Sequence, residues 1–450
     1  MILKITKNTD SIWKQKFKNV SQVDSETRKI VADMKETLEF TGGVGLAAPQ
    51  VDIPFNIFIA NFGKLNEVFI NPKIVSQSKE TGEGEEGCLS VPGFRGLLNR
   101  SSELVINYID LKGRKKTASL SGFYARIIQH EYDHLKSTFY IDKIVDKKEK
   151  VVHFKPTKLV FFGTPKFGAT ILKSIIGQQV VGEYKVLLVV TQPDQPFGRG
   201  QEVKKSAVKQ LAEQFGIRVI EPTKLDQKEV VKTLQKLNPD VFVVASYGQI
   251  LPKDVLNIPK YGSLNLHASL LPKYRGASPI QGAILNKEKY TGVTIMLMNE
   301  RLDEGEILAE AKVKISPKDT FISLHDKLAK VGSELLHQVI YLWINKRIKP
   351  RRQTASKSKA TYTPRLTRDS GFIDALRPPK NLETMIRAYH PWPGVWTRLA
   401  APDGAASGGQ AKNQGKVLKL LPNRMVQLEG KSPVSLKDFK QGHKDFDLSW

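Results

Sequence analysis

The sequence predicts about three domains, the second an α/β domain on an open, doubly wound parallel sheet, and the last a short region. Three observations predict it. At 450 residues and roughly 150 residues per domain, the chain holds about three domains. Beyond residue 150 short apolar strands begin to alternate with amphipathic helical stretches, which is the pattern of a parallel sheet covered on both faces. The charge also divides by region. Of the net +25, residues 1–150 carry +4, residues 151–350 carry +11 and residues 351–450 carry +10.

Composition narrows the class. Apolar residues make up 40% and charged residues 26%, the range of a soluble globular protein and not of a collagen, a mucin-like stalk or a disordered tail. No apolar run approaches the ~20 residues that span a bilayer. The start, MILKITKNTD, places lysines and an aspartate where a secretory signal needs its apolar core. A single cysteine, Cys88, forms no intrachain disulfide and suits a reducing cytoplasm. The basic excess attracts polyanions, nucleic acid before anionic membrane. An ordinary solvated basic surface explains the charge equally well on its own.

In the first third, His130-Glu131-Tyr132-Asp133-His134 lies within GFYARIIQHEYDHL. Ile127, Ile128 and Leu135 recur at helical spacing and no Gly or Pro interrupts, so a helix is expected here. Residues four apart share a helix face, so both imidazoles can reach one metal ion, and Glu131 beside the first can handle protons. The competing explanation is chance, since three fixed positions in five do arise by accident. Two further segments bear on it: Glu85-Glu86-Gly87-Cys88-Leu89-Ser90 and Gly43-Val44-Gly45-Leu46-Ala47-Ala48-Pro49-Gln50. A lone cysteine is usually a buried small hydrophobe. Beside a two-histidine helix it can be a third metal ligand.

These three blocks, in this order, resemble the peptide deformylases, over about residues 1–150. The resemblance implies an α+β metallohydrolase domain in which Cys88, His130 and His134 bind a divalent metal (Fe2+ or Zn2+) and Glu131 shuttles the proton. It implies that Gln50 and the Leu89 backbone N–H hold the formyl oxygen. Gly45, Gly87 and Arg95 would line a groove for a formylated nascent peptide, with the ribosome nearby. The opening segment ITKNTDSIWKQKFKNV departs from the family pattern, and the resemblance implies that it packs away from the metal. A general metalloprotease is the runner-up, disfavoured by the cysteine ligand.

In the middle, strands are expected at Lys158–Phe162, 186–191, near 217–220 and at 241–245, with helices through Ile176 and over about 205–215. Gly163 to Gly168 has two glycines but Ala169-Thr170 where a phosphate loop needs Lys-Ser/Thr, so no ATP site is read there. The chemistry lies in Gly262-Ser263-Leu264-Asn265-Leu266-His267-Ala268-Ser269-Leu270-Leu271-Pro272 and in Leu302-Asp303-Glu304-Gly305. Asn265 and His267 alternate on a strand and share a face. An amide, an imidazole and a carboxylate brought together can stabilise an oxyanion and relay a proton. From spacing alone, Asn265 and His267 read more readily as hydrogen-bonded structural residues than as a catalytic pair.

Asn265 through Gly276, Leu302 through Gly305 and Gln192 through Gly200 resemble the methionyl-tRNA formyltransferases, over about residues 157–450. The resemblance implies a Rossmann-like domain over 157–345 in which Asn265, His267 and Asp303 transfer formyl from 10-formyltetrahydrofolate to the amine of initiator Met-tRNA. Ser269, Leu270, Leu271 and Pro272 would contact the folate. Gly198-Arg199-Gly200, Lys204, Lys205 and Lys209 would meet tRNA phosphates. Arg301 stands two places before Asp303, where the family tends to have glycine. The catalytic set is shared by transferases acting on nucleotide-linked amines, so the basic regions are what favour tRNA.

Lys346 to Lys359, with seven basic residues and no acid, reads as part of a basic linker over 346–360. Residues 361–450 follow, with strands near 416–420 and 425–429. Tyr389, Trp392 and Trp396 read as a core corner rather than a base-stacking surface. The resemblance implies a small C-terminal OB-like β-barrel here that supports tRNA binding. The functional expectation is a bifunctional formyl-cycle enzyme, cytoplasmic and without membrane contact. Its rivals are a tRNA- or ribosome-binding adaptor with one inactive half, or a transferase for a nucleotide-linked amine.

Overall fold

A computed structural model describes residues 1–144, 151–153, 155–197, 202–353, 359–399, 415–443 and 448. The chain forms two compact units, Met1–Leu159 with Leu172–Val186, and Val160–Ile171 with Leu187–Trp450. No described helix is long and apolar enough to cross a membrane.

The first unit begins with α1 (Ser25–Thr41), capped by the Asp24 carboxylate on the Thr27 N–H. Strands β1 (Gly45–Ala47), β2 (Ile57–Phe62), β3 (Leu65–Gln77), β4 (Thr81–Cys88), β5 (Val91–Ser101), β6 (Glu103–Ile109) and β7 (Lys115–Ser121) follow, then α2 (Gly122–His134) and β8 (Val151–His153). One sheet has the order β1-β2-β3-β6-β7 and a second the order β4-β5-β8. Strand β2 shows how the first sheet is covered. Ile57 and Ile59 belong to a core with Val31, Met34 and Leu38 of α1. The alternating Phe58 and Ala60 belong to another with Ala125, Ile127 and Ile128 of α2. A strand buried on both faces carries no polar alternation, and α2 is thereby laid across the sheet with its histidines at one end.

From Thr157 the chain runs through β9 (Thr157–Gly163), α3 (Lys166–Val180), β10 (Tyr184–Val190), β11 (Gln195–Phe197), β12 (Glu202–Lys204), α4 (Ala207–Gln214) and β13 (Val219–Ile220). It continues through α5 (Lys228–Lys236), β14 (Val241–Ala245), α6 (Lys253–Leu256), β15 (Ser263–His267), β16 (Arg275–Gly276), α7 (Pro279–Leu285), β17 (Tyr290–Leu297), β18 (Glu306–Lys314) and α8 (Phe321–Ile344). The main sheet has the order β13-β10-β9-β14-β15-β17-β18. The wholly parallel sheet expected from the sequence is corrected at one edge. Strand β15 pairs in parallel with β14 but antiparallel with β17, which is antiparallel to β18. The chain between β17 and β18 is a short turn, and a short turn can only reverse direction.

Gly332 sets the approach of α8, since a Cβ there would lie 2.9 Å from Leu266 Cδ1. Leu266 therefore faces the helix, and its neighbours Asn265 and His267 face the other way.

Beyond the linker come β19 (Tyr362–Thr363), α9 (Leu382–Tyr389), β20 (Val395–Arg398), β21 (Val417–Leu421), β22 (Met425–Leu428), β23 (Val434–Ser435) and α10 (Leu436–Gly442). Among the described residues, β20 to β23 form an open antiparallel sheet in sequence order. The closed barrel expected from the resemblance is not formed by these strands. Tyr389 and Trp396 are buried, whereas Trp392 is 54% exposed, so two of the three aromatics make the expected core corner.

Candidate active sites

The first site lies where the end of β4 meets α2. Cys88 is the last residue of β4, and His130 and His134 stand one turn apart on α2. The donor atoms of all three lie within 4.8 Å of one another, with Cys88 Sγ 3.3 Å from His134 Nε2. Ligands at ~2.0–2.3 Å from a tetrahedral ion stand roughly 3.4–3.7 Å apart, so this set fits a divalent metal with a position to spare. Burial first, and then the charge of His130, holds His134 well below its ordinary range, so its ring presents a lone pair. Burial opposes a charge on His130, but its hydrogen bonds to Cys88 and Glu86 prevail and raise it to about 10. The pocket therefore favours a positive charge among these donors, which a divalent ion supplies. The donor set is compatible with iron, zinc and other divalent metals.

A buried charge network that sequence reading missed stands behind these ligands. His130 Nδ1 donates to Glu86 at 2.8 Å, which leaves Nε2 for a metal. Arg100 grips Glu86 with two hydrogen bonds at 2.8 and 2.9 Å and Asp133 with one at 2.5 Å. Arg126 adds a bond to Glu86 at 2.8 Å. Burial alone would raise the Glu86 carboxyl, but the bonds from Arg100 and His130 outweigh it and hold the group well below the usual carboxylate range. Glu86 abuts the motif Gly87-Cys88 and Asp133 lies inside the histidine helix. Alternation along β4, which puts Glu86 on the same face as Cys88, was the one available signal.

Glu131 is 4% exposed, its Oε2 finds no partner among the described residues, and burial pushes its carboxyl up to about 7. Gly45 makes room for it, since a Cβ there would come within 2.3 Å of Glu131 Oε1. Gln50 sits in the 3-10 turn Ala48–Val51. Its Oε1 accepts from the Ala47 N–H at 2.8 Å, and its Nε2 donates to Cys88 Sγ at 3.4 Å. Gln50, Leu89, Gly87 and Arg95 line, with Cys88, His130 and Glu131, one cavity of about 390 Å³. Gly87 meets nothing closer than 3.7 Å, so steric need does not explain it. Arg95 is half exposed and pairs with Glu85 at 2.9 Å.

One expectation is corrected. The opening segment does not pack away from the metal ligands: Ile12 and Trp13 are buried in a core with Cys88, and the Trp13 ring centroid is 5.8 Å from that of His134. Its aromatic and aliphatic residues close the apolar side of the site.

The second site gathers on β15 and the turn before β18. Asn265 Nδ2 donates to Asp303 Oδ1 at 3.5 Å, and His267 Nδ1 lies 3.6 Å from Asp303 Oδ2. The Gly276 N–H donates to the same carboxylate at 2.8 Å. His267 Nε2 donates to the Tyr274 carbonyl at 2.8 Å. A carbonyl only accepts, so in the neutral ring the lone pair is on Nδ1, facing Asp303. All three residues expected from the sequence thus converge.

The neighbouring turn is built differently from the expectation. Ser269, Leu271 and Pro272 are buried, and the Ser269 hydroxyl donates to the Lys273 carbonyl at 2.6 Å. Leu271 packs with Met296 and Ile307. These three shape the turn that carries Tyr274, and only Leu270 is partly exposed. Arg301 occupies the glycine position of the resemblance and reaches Glu304 at 3.6 Å.

Arg199, with Gly198 and Gly200, lies outside the described residues. Lys204 is exposed, and Lys205 pairs with Glu213 at 2.8 Å. Lys209 is not the phosphate-facing cation expected. Its ammonium is bound by Asp194 at 2.5 Å and Glu221 at 2.6 Å, and it fastens the base of the β11–β12 hairpin.

The chain matches two family models: polypeptide deformylase at residues 2–150 and formyl transferase at residues 157–340. A methionyl-tRNA formyltransferase of Thermodesulfovibrio yellowstonii is 40% identical over 302 residues, covering 64% of this chain and 96% of that protein. One from Caldanaerobacter subterraneus is 41% identical over 277 residues, covering 61% and 83%. The peptide deformylase structure from Thermotoga maritima is 35% identical, covers 32% of this chain and 99% of its own, and has a TM-score of 0.32. That from Plasmodium falciparum, an inhibitor complex, is 38% identical, covers 32% and 92%, and has a TM-score of 0.31.

Proposed function

This chain belongs to the methionyl-tRNA formyltransferase family and carries a polypeptide deformylase domain ahead of it; from that premise we propose one enzyme acting at both ends of a formyl cycle. The first unit removes formyl from the N-terminal formylmethionine of nascent peptides. The second transfers formyl from 10-formyltetrahydrofolate to the methionyl amine of initiator Met-tRNA.

In the first site Cys88, His130 and His134 hold the ion, Fe2+ or Zn2+. When bound, it supplies Lewis-acid polarisation of the formyl carbonyl. Glu131, poised near neutrality with a free oxygen, takes a proton from the attacking water and returns it to the leaving amine. The Gln50 amide and the Leu89 N–H meet the formyl oxygen as charge develops on it, and Gly45, Gly87 and Arg95 seat the peptide. A cytoplasmic setting keeps Cys88 reduced.

In the second site the methionyl amine attacks the formyl carbon of the folate. His267 Nδ1 receives a proton from that amine, and Asp303 stabilises the imidazolium that results. The Asn265 amide stabilises the oxygen that gains charge, and as that charge returns the bond from the formyl carbon to N10 of the folate breaks, with the His267 imidazolium giving its proton to N10. The folate lies against Leu270, and the tRNA acceptor end meets Arg199, Lys204, Lys205 and the C-terminal sheet.

The observation that carries this reading is the convergence of Asn265, His267 and Gly276 on the Asp303 carboxylate in a chain that also holds an independent Cys-His-His cluster. The test is an assay of one purified preparation on a formyl-Met tripeptide and on initiator Met-tRNA with the folate donor. Turnover of both is expected. Binding of tRNA without either turnover would establish the adaptor instead.

A further inference from the structure

Asp303 occupies an unusual backbone conformation. Its φ is +51°, a left-handed region that strains a residue with a side chain and must be held by its surroundings. The side chain is gripped by the Gly276 N–H. The backbone is gripped by a residue from the stretch that composition reads as a basic linker.

Gln353 is 5% exposed. Its Nε2 donates to the Asp303 carbonyl at 2.8 Å and to the Gly305 carbonyl at 2.9 Å, one hydrogen to each. Its Oε1 accepts from Arg275 Nη2 at 2.7 Å and Nε at 3.2 Å. A guanidinium only donates, so the amide has one possible orientation, with its donors at the turn. Arg275 precedes Gly276, and its Nη1 donates to Glu304 at 2.7 Å and to the Tyr362 hydroxyl at 2.9 Å. The backbone two residues before Gln353 is itself fixed. Ile307 and Arg351 exchange two backbone hydrogen bonds at 2.8 and 2.9 Å, and Arg351 pairs with Glu310. Beyond the linker, β19 pairs in parallel with Arg275 and Gly276.

We propose that Gln353 is a positioning residue for formyl transfer: its amide pins the Asp303–Gly305 turn and, through Arg275, joins that turn to the Gly276 N–H that aims the carboxylate. The inference rests on the formyl-transfer reading above. Gln353 touches the backbone of Asp303, so it acts through that residue. A displacement of about 1 Å at a reacting group can cost roughly 10²-fold in rate, which sets the scale of the effect.

The experiment uses the full chain with Gln353→Met, Gln353→Glu, Arg275→Lys and the Gln353→Met/Arg275→Lys pair. Methionine keeps the length and loses every polar bond. Glutamate keeps the acceptor side and turns the donor side into an oxygen facing two carbonyls. For both Gln353 variants, kcat of formyl transfer is expected to fall roughly 10- to 100-fold, with KM for Met-tRNA and for the folate donor within about threefold. Deformylation by the same preparation stays unchanged and reports an intact first unit, while the retained KM values report a folded second unit. The pair is expected to be clearly less than multiplicative, since both residues act on one turn.

Hydrogen exchange gives a second readout. Amides of residues 301–307 are expected to exchange at least about tenfold faster in Gln353→Met. Wild-type kcat in Gln353→Met, or a rise in KM with kcat unchanged, would overturn the proposal. So would unchanged exchange in the turn. If the unmodified chain transfers no formyl, the functional reading falls, and exchange in the turn alone then decides whether Gln353 pins it.

Discussion

The two sites solve the same problem, holding three side chains together, by different means. In the first, two ligands come from adjacent turns of α2 and the support comes from side chains. Glu86 holds His130, and Arg100 and Arg126 hold Glu86, all within hydrogen-bond distance. In the second, Asn265 and His267 come from one strand and Asp303 from a turn 36 residues beyond His267. There the support comes largely from the backbone: the Tyr274 carbonyl holds His267 and the Gly276 N–H holds Asp303. A metal site needs several charges balanced in a dry place, which side chains supply. A proton-relay site needs a carboxylate aimed at an imidazole, which fixed peptide groups do with less freedom to move.

The largest effects should be confined to one site each. Glu131→Gln is expected to lower deformylation roughly 10²- to 10⁴-fold, with the metal content by elemental analysis unchanged and formyl transfer intact. Asp303→Ala should lower formyl transfer by a similar factor with tRNA affinity largely kept and deformylation intact. A variant that damages both activities equally would show that the two sites do not work as separate devices. Retained deformylation in Glu131→Gln would remove Glu131 from its role as proton shuttle.

An intermediate effect is expected from the support and not the ligand. Glu86→Gln keeps the shape but removes the charge that holds His130, and loss of such a partner typically costs 10- to 100-fold in metal affinity. Competition against a chelator measures it. The neighbouring Glu85→Gln is the control, because Glu85 pairs with the half-exposed Arg95, and surface pairs contribute about 0–1 kcal/mol. Equal metal affinity in the two variants would mean that the side-chain network is packing and not part of the metal site. Formyl transfer by Glu86→Gln should stay at the level of the unmodified chain.

Legibility follows the same division. The helix carrying His130 and His134 was readable because period and ligands coincide within five residues, and Cys88 was readable because it is the only one. The residues behind them were not, since Glu86, Arg100 and Asp133 are charged residues like any on a surface until the fold buries them together. On the second unit the strand bearing Asn265 and His267 was readable from alternation. The antiparallel edge was not, because a continuous apolar strand such as β17 looks alike in either direction. Gln353 was hidden by its neighbours: seven of the thirteen other residues in Lys346 to Lys359 are basic, and nothing local marks a buried amide among Arg351, Arg352 and Lys357. The inward turn of the Ser269 hydroxyl and the capture of Lys209 by Asp194 and Glu221 are likewise tertiary facts, invisible to local pattern.

The smallest effect expected concerns charge at long range, and it separates the two regions most gently. Of the +25, +21 falls after residue 150, where the proposed substrate is a polyanion, while the first third is close to neutral and its substrate is a peptide end. Each phosphate contact contributes about −0.7 to −0.9 to the slope of log affinity against log salt. Formyl transfer at subsaturating Met-tRNA should therefore fall steeply between about 50 and 200 mM salt, whereas deformylation of a short peptide should change less than about twofold across the same range. Lys204→Gln, at an exposed position, should flatten the formyl-transfer slope by about 1 and leave kcat alone. The clamped Lys209 offers the contrast. Its ammonium already answers two carboxylates, so Lys209→Gln should loosen the hairpin base without flattening the slope, and a flattened slope there would place Lys209 on the nucleic acid after all.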